Sequence, residues 1–350
     1  MVQPVAAQPA APQRVLIVKP SALGDVVTAL PVLRGLRRSF PDAHIAWLVS
    51  DACAPLIRHD SDLDEVVLFE RRKLGRAWRS PAAATALGKL LRTLRAGRFD
   101  WVLDLQGLLR SGLLTRVTGA PLRAGFADAR EGAASFYTHR LPVEQAHTVE
   151  RNVALASMLG VDTRGEDMTL QISPDAGRSA AKMLDDAGLA PGEFIAALPP
   201  TTWATKLYPT RHWRAVAAAM GARLPVVLLG APREAPLCAS VAEGIPHVVN
   251  LAGRTGVGEM PAVIAASAGV ICCDSAAKFI APAVGVDCVV LIGPTRVERT
   301  GPYLRGRAVV ADVPCQGCLK KRCSHVTCMQ SIAPGEVISA ATAMLDRREG

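Results

Sequence analysis

Short runs of apolar, often β-branched residues alternate with longer segments of helical spacing along almost the whole chain. The first run, at residues 15–19, reads VLIVK and is followed by a turn and then by apolar residues at helical spacing. Parallel strands that are buried on both faces have such continuous apolar sequences. Further runs of this kind lie at residues 45–49, 66–69, 101–105, 194–198, 226–229, 248–251, 270–273 and 288–292. This alternation predicts an α/β fold in which helices cover both faces of a parallel sheet.

The alternating pattern restarts at Ser173 and Pro174, which together are a typical helix-start signal. A chain of 350 residues is long enough for two domains. We therefore predict a flexible tail at residues 1–13, a doubly wound domain at residues 14–172 and a second one at residues 173–350. Ligands bind such sheets at the carboxyl ends of the strands, so two of them in tandem predict a ligand cleft between the domains.

The charge balance is basic, with 40 Lys and Arg residues against 31 Asp and Glu residues, a net charge of +9. A basic excess favours anionic partners. Seven Phe, five Trp and three Tyr residues are few for stacking bases, and no nucleic-acid-binding motif occurs, so we expect no nucleic-acid partner. No Walker A sequence occurs, and no G-x-G-x-x-G follows the first strand, which disfavours P-loop ATPases and NAD enzymes.

No segment approaches the roughly 18 consecutive apolar residues that a transmembrane helix needs. We expect a soluble or at most peripheral protein. Residues 1–13 are rich in Ala, Pro and Gln, without a basic start or an apolar core, which is typical of a flexible tail and not of a signal peptide. The expected location is therefore cytoplasmic, where disulfides are uncommon.

The turn after the first predicted strand, residues 19–25, contains Gly24 and ends at Asp25. Glycine permits close backbone approach, the turn's amides can face an anion, and Asp25 would place a carboxylate beside a substrate. A second interpretation of Asp25 is structural, because an acidic residue in the first turn of a helix interacts favourably with the helix dipole. Pro31 interrupts the following helical pattern and predicts a kink or a new helix start.

Motifs spread over residues 14–310 resemble those of the lipopolysaccharide heptosyltransferases of glycosyltransferase family 9, and the first half is most similar to the heptosyltransferase I branch. In the first half they are RVLIVKPSALGDVVTALP at residues 14–31, FERRK at 69–73, DLQGL at 104–108, GFADARE at 125–131 and HTVER at 147–151. In the second half they are TT at 201–202, KLYP at 206–209, HW at 212–213, GAP at 230–232, DS at 274–275 and GPT at 293–295. The order of the motifs is more specific than any one of them.

The resemblance implies the GT-B architecture, in which two Rossmann-like domains face each other across a cleft. It implies an inverting transfer of a heptose or a related sugar from an ADP-sugar to the Kdo and lipid A inner core of lipopolysaccharide, without a catalytic metal. Asp25 matches the family's catalytic aspartate. Inversion in a single displacement needs such a base to take the proton of the acceptor hydroxyl.

The resemblance also implies a donor-binding site. Lys206 matches the family lysine that lies near the donor's phosphates, where a cation stabilises the leaving diphosphate. Without the resemblance, Lys206 has a second interpretation as a solvated surface lysine. The implied donor-binding residues are Ser21, Gly24, Thr201, Thr202, Lys206, Asp274, Ser275, Ala276 and Lys278.

The donor-binding motif departs from the family pattern at two positions. Family members usually have Asp-Ser/Thr-Gly-x-x-His, whereas Ala276 stands in place of the glycine and Phe279 in place of the histidine. Lys278 adds a charge that could contact phosphate. These departures leave three outcomes open: an altered nucleotide or sugar, phosphate contacts through Lys278, or loss of activity. The alternative to an enzyme is therefore a non-catalytic nucleotide-sugar or carbohydrate-binding protein of the same fold.

The implied acceptor-binding residues are basic. Arg71, Arg72 and Lys73 belong to the densest basic run of the first domain, and Arg130 lies in another family segment. Such runs are usually solvated surface, but these match segments that meet the anionic inner core in the family. The same charges would attract the protein to the inner face of the cytoplasmic membrane.

Four cysteines lie within 14 residues near the carboxyl end: Cys315, Cys318, Cys323 and Cys328. Their C-x2-C-x4-C-x4-C spacing fits a structural zinc or iron site. Two disulfides or four free thiols are the other interpretations, and a reducing compartment disfavours the disulfides.

Overall fold

A computed structural model describes residues 9–70 and 80–349. The chain divides into two compact units, of which the first ends at Met168 and the second begins at Thr169. Residues 1–8, which are part of the predicted tail, lie outside the described residues.

The first unit contains a six-stranded parallel sheet. Its strands are β1 (Arg14–Val18), β2 (His44–Ser50), β3 (Glu65–Phe69), β4 (Trp101–Asp104), β5 (Leu122–Phe126) and β6 (His139–Leu141). The spatial order is β3-β2-β1-β4-β5-β6. Val15 of β1 pairs with Ile45 of β2 on one side and with Trp101 of β4 on the other. The order therefore reverses between β1 and β4, the point at which doubly wound sheets bind ligands.

Helices connect these strands. They are α1 (Leu23–Val27), α2 (Leu30–Ser39), α3 (Pro81–Ala96), α4 (Leu109–Val117) and α5 (Thr148–Ser157), with short 3-10 turns at Ala54–Leu56, Ala133–Phe136 and Gly165–Asp167. Pro31 lies in the first turn of α2, where its missing N–H costs no hydrogen bond. The predicted interruption at Pro31 is thus confirmed as the start of a new helix.

The second unit repeats this topology. Its strands are β7 (Ile195–Leu198), β8 (Val226–Leu228), β9 (Val248–Asn250), β10 (Gly269–Cys273), β11 (Cys288–Leu291) and β12 (Gly306–Val309). They are ordered β12-β11-β10-β7-β8-β9, all parallel, so β7 and β10 are the central neighbours at which the order reverses. The predicted α/β fold with doubly wound parallel sheets is confirmed for both units.

The helices of the second unit begin with α6 (Pro174–Asp185). The side chain of Ser173 caps this helix by accepting a hydrogen bond from the N–H of Ala176 (3.1 Å), as the Ser173-Pro174 signal predicts. The others are α7 (Thr210–Gly221), α8 (Ala235–Ala242), α9 (Met260–Ala265), α10 (Ala277–Ala283), α11 (Val297–Thr300), α12 (Thr327–Gln330) and α13 (Pro334–Glu349), with 3-10 turns at Ala204–Lys206 and Pro232–Glu234.

The central strands are the continuous apolar runs of the sequence. The side chains of Leu16, Ile17 and Val18 are fully buried, as are most of those of β7 and β10. The sequence analysis does not predict strands β5, β6 and β12, because an arginine interrupts the apolar run of each strand. Two of the three are edge strands, which pair on one side only and tolerate exposed polar residues.

Across residues 9–70 and 80–349, every helix is too short or too polar to cross a membrane.

Candidate active site

In the first unit, the candidate site lies at the point where the strand order reverses. The loop after β1 carries Ser21, Gly24 and Asp25, and the loop after β4 carries Gln106. The two loops are linked by a hydrogen bond from the N–H of Ser21 to Oε1 of Gln106 (3.4 Å). Because both strands are parallel and adjacent, their carboxyl ends bring these loops together.

Asp25 lies in the first turn of α1 and is partly exposed. Its Oδ2 accepts a hydrogen bond from the N–H of Ala22 (2.9 Å), at the start of the helix. The structural interpretation of Asp25 is therefore correct, and it does not exclude a catalytic one. This hydrogen bond restrains the carboxylate of Asp25 at the start of α1.

Lys19 is a neighbouring charge that the sequence analysis does not assign to the site. It is buried, and its Nζ donates to the carbonyl of Leu105 (2.6 Å), which ties the end of β1 to the loop after β4. Burial lowers the pKa of Lys19, and the negative charges of Asp25 and Asp104 oppose that effect. A lysine directly after a buried apolar strand is the sequence signal that identifies it.

Asp104 stabilises the loop after β4 through hydrogen bonds. Its side chain is fully buried and accepts hydrogen bonds from the hydroxyl of Tyr137 (2.7 Å) and from the N–H groups of Gln106 (2.9 Å) and Gly107 (3.1 Å). Burial raises the pKa of Asp104, and these hydrogen bonds act against that rise. Asp104 therefore sets the backbone path that presents Gln106 beside Ser21.

A cavity of about 230 Å³ opens beside these loops within the first unit. Its polar lining comes from Ser21, Gln106, Arg110 and Glu131, and Phe69 contributes an aromatic wall. Glu131 Oε2 accepts a hydrogen bond from the N–H of Leu109 at the start of α4 (3.2 Å). The cavity offers both hydrogen-bonding groups and a cation to a polar ligand.

Of the predicted acceptor-binding residues, the structure describes one. Arg130 is exposed, its N–H donates to the carbonyl of Gly107 (3.0 Å), and its charge acts on Lys19. Arg130 thus belongs to the same loop cluster as the cavity. Arg71, Arg72 and Lys73 lie outside the described residues.

In the second unit, the equivalent reversal point brings Lys206 and Asp274 together. Lys206 follows β7 and Asp274 follows β10, and Lys206 Nζ lies 2.8 Å from Asp274 Oδ2. Lys206 also lies 4.5 Å from the centre of the Trp203 ring. Thr201, half-buried, and Thr202, exposed, precede this pair in the loop after β7. The alternative interpretation of Lys206 as a solvated surface lysine finds no support, since only 14% of its side chain is exposed.

Asp274 is the centre of a buried polar cluster. Its side chain is 1% exposed and also contacts Lys278 Nζ and the hydroxyl of Thr295. Burial alone would raise the pKa of Asp274, but the charges of Lys278 and Lys206 outweigh it and hold the pKa below its ordinary value. Asp274 is therefore a carboxylate that orients two ammonium groups.

The other predicted donor-binding residues of the second unit lie beside this cluster at the start of α10, whereas Ser21 and Gly24 belong to the first unit. The hydroxyl of Ser275 is buried and has no hydrogen-bond partner among the described residues. Ala276 is the residue that precedes α10. Lys278 is 4% exposed, and burial lowers its pKa. Its ammonium group faces Asp274 and lies 4.8 Å from the centre of the buried Phe279 ring.

Comparison with known proteins identifies the family. The family model "Glycosyltransferase family 9 (heptosyltransferase)" matches residues 87–328. Lipopolysaccharide heptosyltransferase 1 of Pseudomonas aeruginosa is 32% identical over 324 residues, covering 89% of this chain and 88% of the relative. The chain belongs to glycosyltransferase family 9. The predicted resemblance and the predicted transferase class are both confirmed.

Two further comparisons place this family 9 glycosyltransferase among heptosyltransferases. Lipopolysaccharide heptosyltransferase 1 of Escherichia coli K12 is 29% identical over 307 residues, 85% of this chain and 92% of that protein. The solved structure of E. coli heptosyltransferase WaaC with ADP-2-deoxy-2-fluoro heptose matches with a TM-score of 0.76 at 25% identity, covering 94% of this chain and 99% of that one.

The four carboxyl-terminal cysteines of the family 9 chain all line one cavity of about 40 Å³, together with His325. They carry free thiols, so the disulfide interpretation finds no support in the described residues. Within residues 9–70 and 80–349, no group of three or more His, Cys, Asp or Glu side chains is already arranged to hold a metal ion.

Proposed function

We propose that this family 9 glycosyltransferase transfers a heptose from ADP-heptose to the Kdo and lipid A inner core of lipopolysaccharide. In this proposal the second unit binds the donor and the first unit binds the acceptor. The named relatives are lipopolysaccharide heptosyltransferases, and solved structures of E. coli WaaC contain ADP or an ADP-fluoroheptose. The observation that carries the proposal is the buried pairing of Lys206 with Asp274 at the reversal point of the second sheet.

The donor's diphosphate is the anion that this cluster suits. Lys206 is oriented by Asp274 and by the face of Trp203, so little side-chain entropy is lost when it binds phosphate oxygens. The hydroxyl of Ser275, which has no hydrogen-bond partner in the described part of the chain, supplies a further donor. Thr201 and Thr202 complete the set from the loop after β7.

Lys278 has a different role in this proposal. Its ammonium group pairs with the Asp274 carboxylate inside the fold. Lys278 therefore neutralises a negative charge that Lys206 would otherwise have to neutralise alone. Lys206 is then left with positive charge to offer the donor. This replaces the prediction that Lys278 itself contacts phosphate.

Asp25 is the proposed general base. The acceptor hydroxyl oxygen attacks the anomeric carbon of the heptose, its proton passes to the Asp25 carboxylate, and the bond from the anomeric carbon to the phosphate oxygen breaks to release ADP. One displacement of this kind inverts the anomeric configuration. Lys206 stabilises the negative charge that develops on the leaving diphosphate.

Catalysis needs no metal in this scheme, because Lys206 supplies the positive charge that Mg²⁺ supplies in other transferases. The expected result is that added Mg²⁺ leaves the rate of transfer unchanged. A strong stimulation by Mg²⁺ would contradict this part of the proposal.

The acceptor is anionic, and the first unit presents cations to it. Arg110 lines the cavity together with Ser21, and the charge of Arg130 acts on Lys19, as that of Asp25 does. Arg71, Arg72 and Lys73 extend the set in the sequence. A lipid-linked acceptor places the enzyme at the cytoplasmic face of the inner membrane, attached through such basic residues.

The test of this function is heptose transfer by the purified chain, followed by mass spectrometry of a Kdo–lipid A acceptor with ADP-heptose as donor. Asp25→Asn keeps an oxygen that can accept the hydrogen bond from Ala22 but cannot take a proton. We expect kcat to fall by roughly 10²–10⁴ while ADP affinity is unchanged.

Asp42→Asn is the matched control, because Asp42 is exposed and precedes β2, at the opposite edge of the sheet from the site. It should transfer heptose at the wild-type rate. Near-full activity of Asp25→Asn would overturn the role of Asp25. Tight ADP-heptose binding by the wild-type chain without any turnover would instead identify a non-catalytic binding protein.

A further inference from the structure

The segment at residues 315–328, called the Cys loop below, is not explained by the transferase site. Its four cysteines differ in exposure: Cys328 is buried, Cys315 and Cys323 are half-buried, and Cys318 is exposed. All four line one small cavity of about 40 Å³. Four thiols that line a single cavity, in a loop of 14 residues, are an unusual concentration of soft metal ligands.

The backbone of the Cys loop turns sharply beside its cysteines. Gly317 and Leu319, which flank Cys318, have positive φ angles of 73° and 61°. Non-glycine residues rarely adopt this conformation, so Leu319 requires compensation from its surroundings. The N–H groups of His325 and Val326 both point to Sγ of Cys323, with Val326 N at 3.4 Å. Two backbone donors on one sulfur stabilise a thiolate ligand.

The charges around the cavity complement a metal thiolate centre. Four thiolates around a divalent ion carry a net charge of −2. Lys320, Lys321 and Arg322 belong to the same loop, and Lys320 lines the cavity itself. Such a concentration of cations would repel a bare metal ion, but it stabilises an anionic complex.

The Cys loop also forms hydrogen bonds with two segments of the donor-binding cluster, the one at Thr295 and the one at Lys206. Leu319 N donates to the carbonyl of Pro294 (2.6 Å), and Gln316 Nε2 donates to the carbonyl of Thr295 (3.1 Å), next to the hydroxyl that contacts Asp274. On the other side, the hydroxyl of Thr205 donates to the carbonyl of Lys320 (2.9 Å), directly beside Lys206.

We propose that Cys315, Cys318, Cys323 and Cys328 bind one structural metal ion, Zn²⁺ or Fe²⁺, in a tetrahedral site that braces the donor-binding cluster. Thiolate ligands in this number and spacing select these metals. The thiols converge on the ion as it binds, because metal binding and local folding are coupled in such sites. The ion has no part in the chemistry of transfer.

The first test is the metal content of the purified, reduced full-length chain, measured by inductively coupled plasma mass spectrometry. We expect one zinc or iron ion per chain. Cys318→Ser removes a ligand that is exposed and makes no core contact, so the fold should survive while the bound metal is lost. Cobalt substitution of the wild-type chain should give the absorption of a tetrahedral cobalt thiolate.

Cys53→Ala is the matched control, because this substitution also removes one cysteine, and Cys53 is buried in the first unit, away from the Cys loop. It should keep its metal. A wild-type chain free of zinc and iron, full metal content in Cys318→Ser, or disulfides between the loop cysteines would each overturn the proposal.

The second test measures whether the metal site affects ADP binding, and it rests on the proposed function of the donor-binding cluster. Two linked sites typically change each other's affinity by about 5- to 150-fold. We expect Cys318→Ser to weaken ADP binding about tenfold in calorimetry, with Cys53→Ala unchanged. Metal binding without any effect on ADP affinity would overturn the bracing role. Failure of the wild-type chain to bind ADP would instead count against the proposed function and leave the metal measurement valid.

Discussion

Asp274 is the residue on which the proposed donor-binding cluster depends. It is 1% exposed and meets two ammonium groups and one hydroxyl, so its charge is matched within the fold. Removing one partner of a buried ion pair leaves an uncompensated charge, which costs more than the pair itself contributes. The geometry therefore gives Asp274 a structural role beside its proposed role in donor binding.

We predict that Asp274→Asn lowers the free energy of unfolding at pH 7 by about 3–5 kcal/mol, because two buried lysines lose their carboxylate. Urea denaturation measures this change. Asp346→Asn is the control: Asp346 is exposed on α13 and pairs with Arg223 at the surface, where an ion pair contributes at most about 1 kcal/mol. Equal losses in the two variants would contradict the buried pairing.

The same variant tests the pH dependence of stability. The pKa of Asp274 is lowered in the folded chain, so between that value and about 3.9 the unfolded chain binds more protons. The stability that Asp274 contributes is present above this window and is lost as the pH falls through the folded pKa. The difference between wild type and Asp274→Asn should therefore be constant between pH 7 and about 5 and shrink as the pH falls below about 3.9.

At the scale of elements, α2 is held against the segment that ends the first unit. A Cβ atom on Gly35 would lie 2.6 Å from Cβ of Thr163 and 2.8 Å from the carbonyl oxygen of Asp162. The hydroxyl of Thr163 donates to the carbonyl of Pro31 at the other end of this contact (2.8 Å). Only a residue without a side chain lets the two segments approach so closely.

We predict that Gly35→Ala lowers the free energy of unfolding by about 1–3 kcal/mol, because the backbone on both sides of the contact must move. Gly88→Ala is the matched control within another helix, α3, where a new Cβ meets nothing within 4 Å. It should stabilise the chain by about 0.5–1 kcal/mol, since alanine is the better helix former. Thermal unfolding of the two variants compares them directly, and a neutral Gly35→Ala would contradict the tight contact.

At the scale of the whole molecule, the net charge of +9 is the property that bears on the proposed contact with an anionic membrane. Each Lys or Arg near such a surface contributes about 1 kcal/mol of attraction, and salt screens it. Three basic residues follow one another at residues 71–73, in the half that is proposed to bind the acceptor.

We predict that replacing Arg71, Arg72 and Lys73 by Ala weakens binding to phosphatidylglycerol vesicles roughly tenfold or more at low salt. Vesicle sedimentation measures the effect, which should disappear at high ionic strength. The control replaces Arg178, Lys182 and Arg233, three exposed residues of the second unit, and removes the same charge. If both triple variants lose binding equally, net charge and not its location attracts the chain.

Much of the fold was predictable because the central strands are buried on both faces. Burial of this kind demands continuous apolar runs such as residues 15–18 and 270–273, and it leaves a signal that a single sequence carries. Helix starts at Pro31 and Ser173 were predictable for a local reason as well, since proline and capping residues act within one turn. Strands β5, β6 and β12 were not, because an arginine interrupts the apolar run of each.

The sequence by itself determined the α/β class, the motif order of the family and the identity of Asp25, Lys206 and Asp274 as candidates, because each depends on residues close together in the chain. The tertiary structure alone decided what those residues contact. Asp104 meets Tyr137, Thr205 meets Lys320, and Lys278 faces Asp274 inside the fold instead of a ligand. The order of strands in a sheet brings distant loops to one edge, and no local pattern encodes that order.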